Sequence, residues 1–204
     1  MITHEMKQGS EEWHDIRKLK LTASHAQEIA TAGKGLDTYT TNIIAEYFGD
    51  CEDRYCNEDM ERGHELEDEA RTIYELETGT IVDQVGFIEL DKYLGCSPDG
   101  LIGEDGGIEI KNHNSKVFSN LVLTEKIDRK YYMQIQMNLL VTSRKWWDYV
   151  AYNPSFKRCL FIKRIFPDQK EFDRMEIGFI KGKELIMGKF KKINKFLGGD
   201  NENI

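Results

Sequence analysis

Asp99, Glu109 and Lys111 are the residues of this chain whose types and spacing most directly imply chemistry. Two carboxylates and a lysine at this separation can build a magnesium site on a β-hairpin. Mg²⁺ takes oxygen ligands, usually one or two carboxylates with waters and phosphate oxygens. In a strand, residues i and i+2 share a face, so Glu109 and Lys111 project together. Ile110, between them, turns its side chain to the core and leaves its carbonyl near the cation. Lys111 then stands beside a water on that cation, which it can orient or deprotonate. A plainer account also fits: Asp99-Gly100 is a turn pair, and Glu109-x-Lys111 an ordinary ion pair on a strand. The flanking residues favour the site. Gly95-Cys96-Ser97, Pro98 to Ile102, the polar turn Glu104-Asp105-Gly106-Gly107 and Ile108 to Lys111 read as strand, bend, strand, turn, strand. That path returns position 99 beside 109 and 111.

The elements that must position this hairpin follow from turn signals and apolar spacing. Ser10 caps a first helix at Trp13, with acids in its first turn. Thr22-Ala23-Ser24 opens a second helix that stops near Gly33, and Gly33-Lys34-Gly35 is a loop. Thr40 to Phe48 is helical, Asp50 to Asn57 a polar connector, and Glu58 to Thr78 a long helix stopped by Gly79. Thr80 to Gly86, Phe87 to Leu90, Gly95 to Ser97 and Ile108 to Lys111 read as strands. Lys130 to Thr142 is helical. Trp146 to Tyr152 and Cys159 to Phe166 are strands joined around Pro154. Asp168 to Phe196 is an amphipathic helix, followed from Gly198 by a frayed tail. The 204 residues fit one domain, 1–204, in which a mixed sheet is flanked by helices. No apolar run is long enough to span a membrane, and no secretory leader is visible. Cys51, Cys56, Cys96 and Cys159 lack paired zinc spacing and read as free thiols of a reducing cytoplasm.

The net charge of −8 hides an asymmetry. Residues 1–110 carry 9 Lys and Arg against 26 Asp and Glu, and residues 111–204 carry 19 against 10. The second half can therefore supply a basic surface for nucleic acid, although Lys181 to Lys195 also fits the solvated face of a helix. Arg17 and Ser24, seven residues apart, combine a guanidinium and a hydroxyl at a helix start, a good phosphate pocket. They equally fit a surface arginine and an N-cap. Tyr131 and Gln134 share a helix face, where they can contact the attacking water or the scissile phosphate, or lie at a core edge. The three tryptophans read as core.

Pro98-Asp99 with Glu109-Ile110-Lys111 resembles the PD-(D/E)xK nuclease signature. The likeness extends in collinear order over roughly residues 8 to 166. Trp13, Arg17 and Thr22-Ala23-Ser24 resemble the amino-terminal signature of the phage λ exonuclease and YqaJ-type viral recombinase family. Gly63, Glu67, Ala70, Arg71 and Tyr74 match its acidic helix. Tyr131, Gln134-Ile135-Gln136 and Val141-Thr142 match a later helix, and Ala151 to Pro154 the strand after it.

The resemblance implies a restriction-endonuclease-like α/β fold and a Mg²⁺-dependent 5′→3′ exonuclease of linear double-stranded DNA. Two metal ions are implied, with Mn²⁺ able to substitute. Asp99, Glu109, the Ile110 carbonyl and Glu67 would be ligands, with Glu67 preferred to Glu65. Lys111, Gln134 and Tyr131 would act at the scissile phosphate, and Arg17 and Ser24 would hold the terminal 5′-phosphate. It further implies mononucleotide products, a 3′ single-stranded tail, a ring-shaped homotrimer and a single-strand annealing protein as partner. The setting would be the cytoplasm of a bacterial host, with the gene carried by a phage or prophage. Met60 stands where an apolar wedge would splay the duplex end. A structure-specific endonuclease or resection nuclease of the same superfamily, or a non-catalytic DNA-end-binding protein, are the alternatives.

Overall fold

A computed structural model describes residues 1–49 and 58–199, with side chains in the long helix described from Leu66 onward. The connector over Asp50–Asn57, Met60 and residues 200–204 of the expected tail lie outside the described residues or side chains. In chain order the elements are β1 (Ile2–His4), α1 (Glu11–Arg17), β2 (Leu21–Thr22), a 3₁₀ turn (Ala23–His25), α2 (Ala26–Thr31), α3 (Lys34–Phe48) and α4 (Glu58–Thr78). They continue with β3 (Phe87–Asp91), β4 (Leu94–Cys96), β5 (Gly100–Ile102), β6 (Gly106–Asn112), α5 (Ser115–Thr124), α6 (Arg129–Thr142), β7 (Trp146–Tyr152), β8 (Leu160–Ile165) and α7 (Gln169–Phe196).

The mixed sheet is divided into two sheets of four strands, ordered β1-β3-β4-β2 and β5-β6-β7-β8. In each, one parallel pair sits among antiparallel ones: β2 with β4, and β6 with β7. Ser97-Pro98-Asp99 is the whole link between β4 of the first sheet and β5 of the second. Asp99 therefore stands at the seam.

Helices cover the sheets because their apolar stripes require it. The first core joins α2, α3, α6 and α7 to the first sheet through Ile29, Leu36, Ile88, Met133 and Met175. On the second sheet, strand alternation sends Ile108, Ile110, Val150 and Tyr152 towards Ala70 and Tyr74 of α4. It sends Trp147, Tyr149 and Ala151 to the opposite face, against Phe118, Ile135 and Leu139 of α5 and α6. Gly178 lets α7 touch α2; a Cβ there would stand 2.0 Å from the Ile29 carbonyl oxygen.

Several sequence expectations are corrected. Thr80–Gly86 is not a strand. It makes one isolated bridge, Asp83 with Leu101, and the Glu75 carboxylate takes the Val82 N–H at 2.7 Å. Lys34 and Gly35 are helical, because the apolar stripe of α3 begins at Leu36, four residues before the expected start at Thr40. Gly106 and Gly107 belong to β6 rather than to a turn: the indoles of Trp146 and Trp147 fill the space that side chains at these positions would need. The helix expected from Thr22 is a 3₁₀ turn followed by the short α2, stopped at Ala32 by a left-handed φ of 49°. β1, β2 and α5 were not expected. The first two are short strands with little pattern of their own, and α5 follows β6 after only two residues, where Asn114 caps it by accepting from Val117 N–H.

Candidate active site

Glu109 is fully buried, near the middle of β6. Its Oε1 accepts from Gln134 Nε2 at 2.6 Å and pairs with Lys111 Nζ at 2.5 Å; its Oε2 accepts from Asn138 Nδ2 at 3.1 Å. Gln134 and Asn138 are one turn apart on α6, so a single helix face reaches both carboxylate oxygens. Asp99 Oδ2 accepts the Ile110 N–H at 2.6 Å, which ties the seam residue to the strand that carries Glu109 and Lys111. Ile110 turns its side chain into the α4-facing core, as its place between them requires. Glu67 enters from α4, with Oε1 2.8 Å from Arg71 Nη2.

These carboxylates feel one another. Burial first, and then the charge of Asp99, push Glu67 up to about 7, while Arg71 and Lys111 pull the other way. Glu109 is also raised, by burial and then by Asp99, with Lys111 opposing and Glu67 adding. Burial alone would lower Lys111, but the Glu109 and Asp99 carboxylates outweigh it and hold the ammonium above its ordinary range. The cluster is short of positive charge.

Tyr131 lies beside the lysine, its ring centroid 5.5 Å from Lys111 Nζ and 4.8 Å from Lys130 Nζ. It stacks on Tyr149 at 6.1 Å, and the Tyr149 hydroxyl meets His113 Nε2 at 2.7 Å. Gln134 points to Glu109, a contact the sequence reading did not anticipate. Asn138, Tyr149 and His113 were missed as neighbours of the site. Helical spacing from Gln134 could have found Asn138, whereas Tyr149 needs the parallel register that pairs it with Glu109.

The proposed phosphate pair is only half assembled. Arg17 lies over the Trp13 ring at 4.0 Å and donates from Nη1 to Ser97 Oγ at 3.0 Å. Trp13 Nε1 donates to the same hydroxyl at 2.9 Å and to the Gly86 carbonyl at 3.1 Å. Ser97 thus joins Arg17 to the seam beside Asp99, a connection absent from the sequence reading. Ser24 is exposed in the 3₁₀ turn, with Oγ 3.3 Å from Thr22 Oγ1, and does not cap an α-helix. Arg17 also lines a cavity of about 100 Å³ with Lys20, Thr22, His25, Tyr39 and Glu46. Burial lowers its pKa, so its charged form gains from an anion.

The donor set suits a hard divalent cation. It consists of carboxylate oxygens in a cluster with surplus negative charge. Among the described residues no three His, Cys, Asp or Glu side chains form a ready cage. Magnesium seldom needs one, since waters and phosphate oxygens complete its shell.

A family model described as the YqaJ-like viral recombinase domain matches residues 12–145. Among solved structures, the alkaline exonuclease LHK-Exo from Laribacter hongkongensis is 30% identical with a TM-score of 0.83, covering 93% of this chain and 98% of that one. The same protein in complex with dAMP matches at 30% identity and a TM-score of 0.82, with the same coverage. A phage-related exonuclease from Haemophilus somnus 129PT shares the fold, at 11% identity and a TM-score of 0.63 over 88% of this chain and 98% of that one. No curated protein matches this chain.

Proposed function

Because this chain belongs to the YqaJ-like viral recombinase family, we propose that it is a Mg²⁺-dependent 5′→3′ exonuclease that degrades one strand of linear double-stranded DNA. The likeness to an alkaline exonuclease over nearly the whole chain supports a DNA exonuclease. The observation that carries the finer reading is the buried Glu109 beside Asp99, Glu67 and Lys111, a carboxylate cluster in want of a cation. Asp99, Glu109 and the Ile110 carbonyl would hold one Mg²⁺, and Asp99 with Glu67 a second; Mn²⁺, which shares the preference for oxygen, would substitute. When bound, such ions neutralise the phosphate and lower the pKa of water.

The chain's own residues do the rest. Lys111, beside Glu109, orients or activates the attacking water. Gln134 fixes the Glu109 carboxylate from α6, and Tyr131 walls the lysine on its other side. Arg17, bonded to Ser97, receives the terminal 5′-phosphate, with Ser24 of the 3₁₀ turn as the proposed second donor; the guanidinium fork suits its oxygens. That grip on the end sets polarity and leaves a 3′ single-stranded tail. The dAMP complex of the related exonuclease supports mononucleotide products. A homotrimer, a single-strand annealing partner and action in the cytoplasm of a phage-bearing bacterium complete the proposal and rest on the family resemblance alone.

The test is a time course with Mg²⁺ on linear duplex labelled at one strand end or the other, beside closed circles. Loss from labelled 5′ ends with intact circles is expected. Efficient cutting of circles would favour an endonuclease, loss from 3′ ends would reverse the polarity, and end binding without cleavage would leave a non-catalytic binder.

A further inference from the structure

Asn138 is an unusual residue for the middle of a buried helix face. It is fully buried in α6, and among the described residues its side chain bonds to Glu109, through Nδ2 at 3.1 Å. Its own Oδ1 is buried with no hydrogen-bond partner among the described residues. A buried, unsatisfied amide oxygen is destabilising, so packing alone would favour an apolar residue here.

The lone pairs of Glu109 give Asn138 a role. Each carboxylate oxygen offers two acceptor sites. Oε1 spends both, on Gln134 and on Lys111. Among the described residues, Oε2 has one donor, Asn138. We infer that Asn138 is a positioning residue which fixes the Glu109 carboxylate so that one lone pair of Oε2 faces a divalent cation, making Glu109 a monodentate ligand. Without Asn138 the carboxylate retains two donors on Oε1 and is free to swing about that edge, and Oε2 loses its fixed direction. Outer residues that orient ligands in this way change metal affinity by about 10–100-fold when removed. The inference rests on Glu109 being a cation ligand.

Calorimetric titration of the DNA-free protein with Mn²⁺ tests it, with metal-free melting measured in parallel. Asn138→Leu keeps the branched shape and the number of heavy atoms, removes the donor and removes the orphaned oxygen. Divalent affinity is expected to fall by about tenfold or more, while metal-free melting temperature holds or rises. A packing role would give the reverse, lower melting with affinity unchanged. Asn138→Ser, whose hydroxyl stops a bond short of Glu109, carries the same expected loss of affinity should the leucine variant fold poorly. Gln134→Leu, which leaves Lys111 on Oε1, is expected to weaken Mn²⁺ less than Asn138→Leu. Binding within about threefold of wild type by the Asn138 variants would overturn the inference. Glu109→Ala separates the two levels: if it also binds Mn²⁺ normally, Glu109 is no ligand at all. If it loses binding while Asn138→Leu keeps it, only the role of Asn138 fails.

Discussion

Two buried carboxylates sit on neighbouring strands of the second sheet and face opposite ways. Asp148 of β7 points to the α4 side, where Arg164 grips it through Nε at 2.8 Å and Nη2 at 2.9 Å, and Tyr74 donates to it at 2.7 Å. Arg164 in turn lies 3.6 Å over the Trp146 ring. Every partner is a donor, and the charge is matched one for one. Glu109 of β6 points the other way, to two neutral amides and one lysine, with Asp99 and Glu67 adding like charge. Burial is nearly equal, but the balance of charge around the two is opposite. Asp148 belongs to a closed structural pair. Glu109 belongs to a cluster with surplus negative charge, the imbalance expected of the proposed cation site.

The sharpest way to break this contrast is to remove each acid. Asp99→Ala and Glu109→Gln are expected to abolish Mg²⁺-dependent cleavage while the metal-free protein melts within a few degrees of wild type. Asp148→Ala is expected to do the opposite. It strands the Tyr74 hydroxyl, while the half-exposed Arg164 can rehydrate, so the cost is about 1–3 kcal/mol. That is a fall of several degrees in melting temperature for a chain of this size, with residual cleavage by the folded fraction. Near-normal cleavage by Glu109→Gln would remove the cluster from the chemistry.

Lys111 is the next lever, since it is the cation paired with the Glu109 carboxylate. Lys111→Ala is expected to lower single-turnover cleavage by about 10²–10⁴-fold, with DNA affinity little changed. A loss within about threefold would leave Lys111 as a counter-ion only, on that expected scale.

Acidity probes the same imbalance more gently. Folding raises Glu67 to about 7 and raises Glu109 as well, so the native state holds protons that the unfolded chain has lost. Between the ordinary carboxylate range and about pH 7, metal-free stability should therefore fall as pH rises. A divalent cation should reverse that trend, and the rise in melting temperature it gives should grow with pH. A metal-induced shift that is flat from pH 5 to pH 8 would contradict the assignment of these two acids.

The smallest expected effect concerns the two arginines. Arg164 holds a carboxylate, whereas Arg17 donates to a neutral hydroxyl and is buried enough to gain from an anion. Duplexes with 5′-phosphate should be degraded faster than 5′-hydroxyl duplexes, and Arg17→Ala should shrink that preference without abolishing cleavage. Equal initial rates on both substrates by the wild-type protein would take Arg17 and Ser24 out of the site.

The legible and the illegible parts of this site differ for a physical reason. Asp99, Glu109 and Lys111 were readable because a strand repeats every two residues and the hairpin is local. The likeness to known nucleases added Glu67 and Gln134, but not what Gln134 touches. Asn138 was hidden within a helix whose pattern signals core. The neighbours Tyr149, His113 and Ser97 depend on strand register and on pairings 36 to 84 residues apart in sequence, which no local pattern encodes. The helices over 58–78 and 169–196 were legible from end signals and long stripes. Thr80–Gly86 was misread because a β-like composition does not supply a ladder partner.

The seam at Ser97-Pro98-Asp99 limits how this chain can diverge. Three residues join the sheets, and they carry the hydroxyl under Arg17 and the acid bonded to Ile110. An inserted or deleted codon there would misplace both at once. The turn at Gly103–Asp105, between β5 and β6, lies outside the ladder and includes a glycine at a φ of 51°. Length variation among descendants of this chain should accumulate at that tip, and a peptide tag or fluorophore belongs there too.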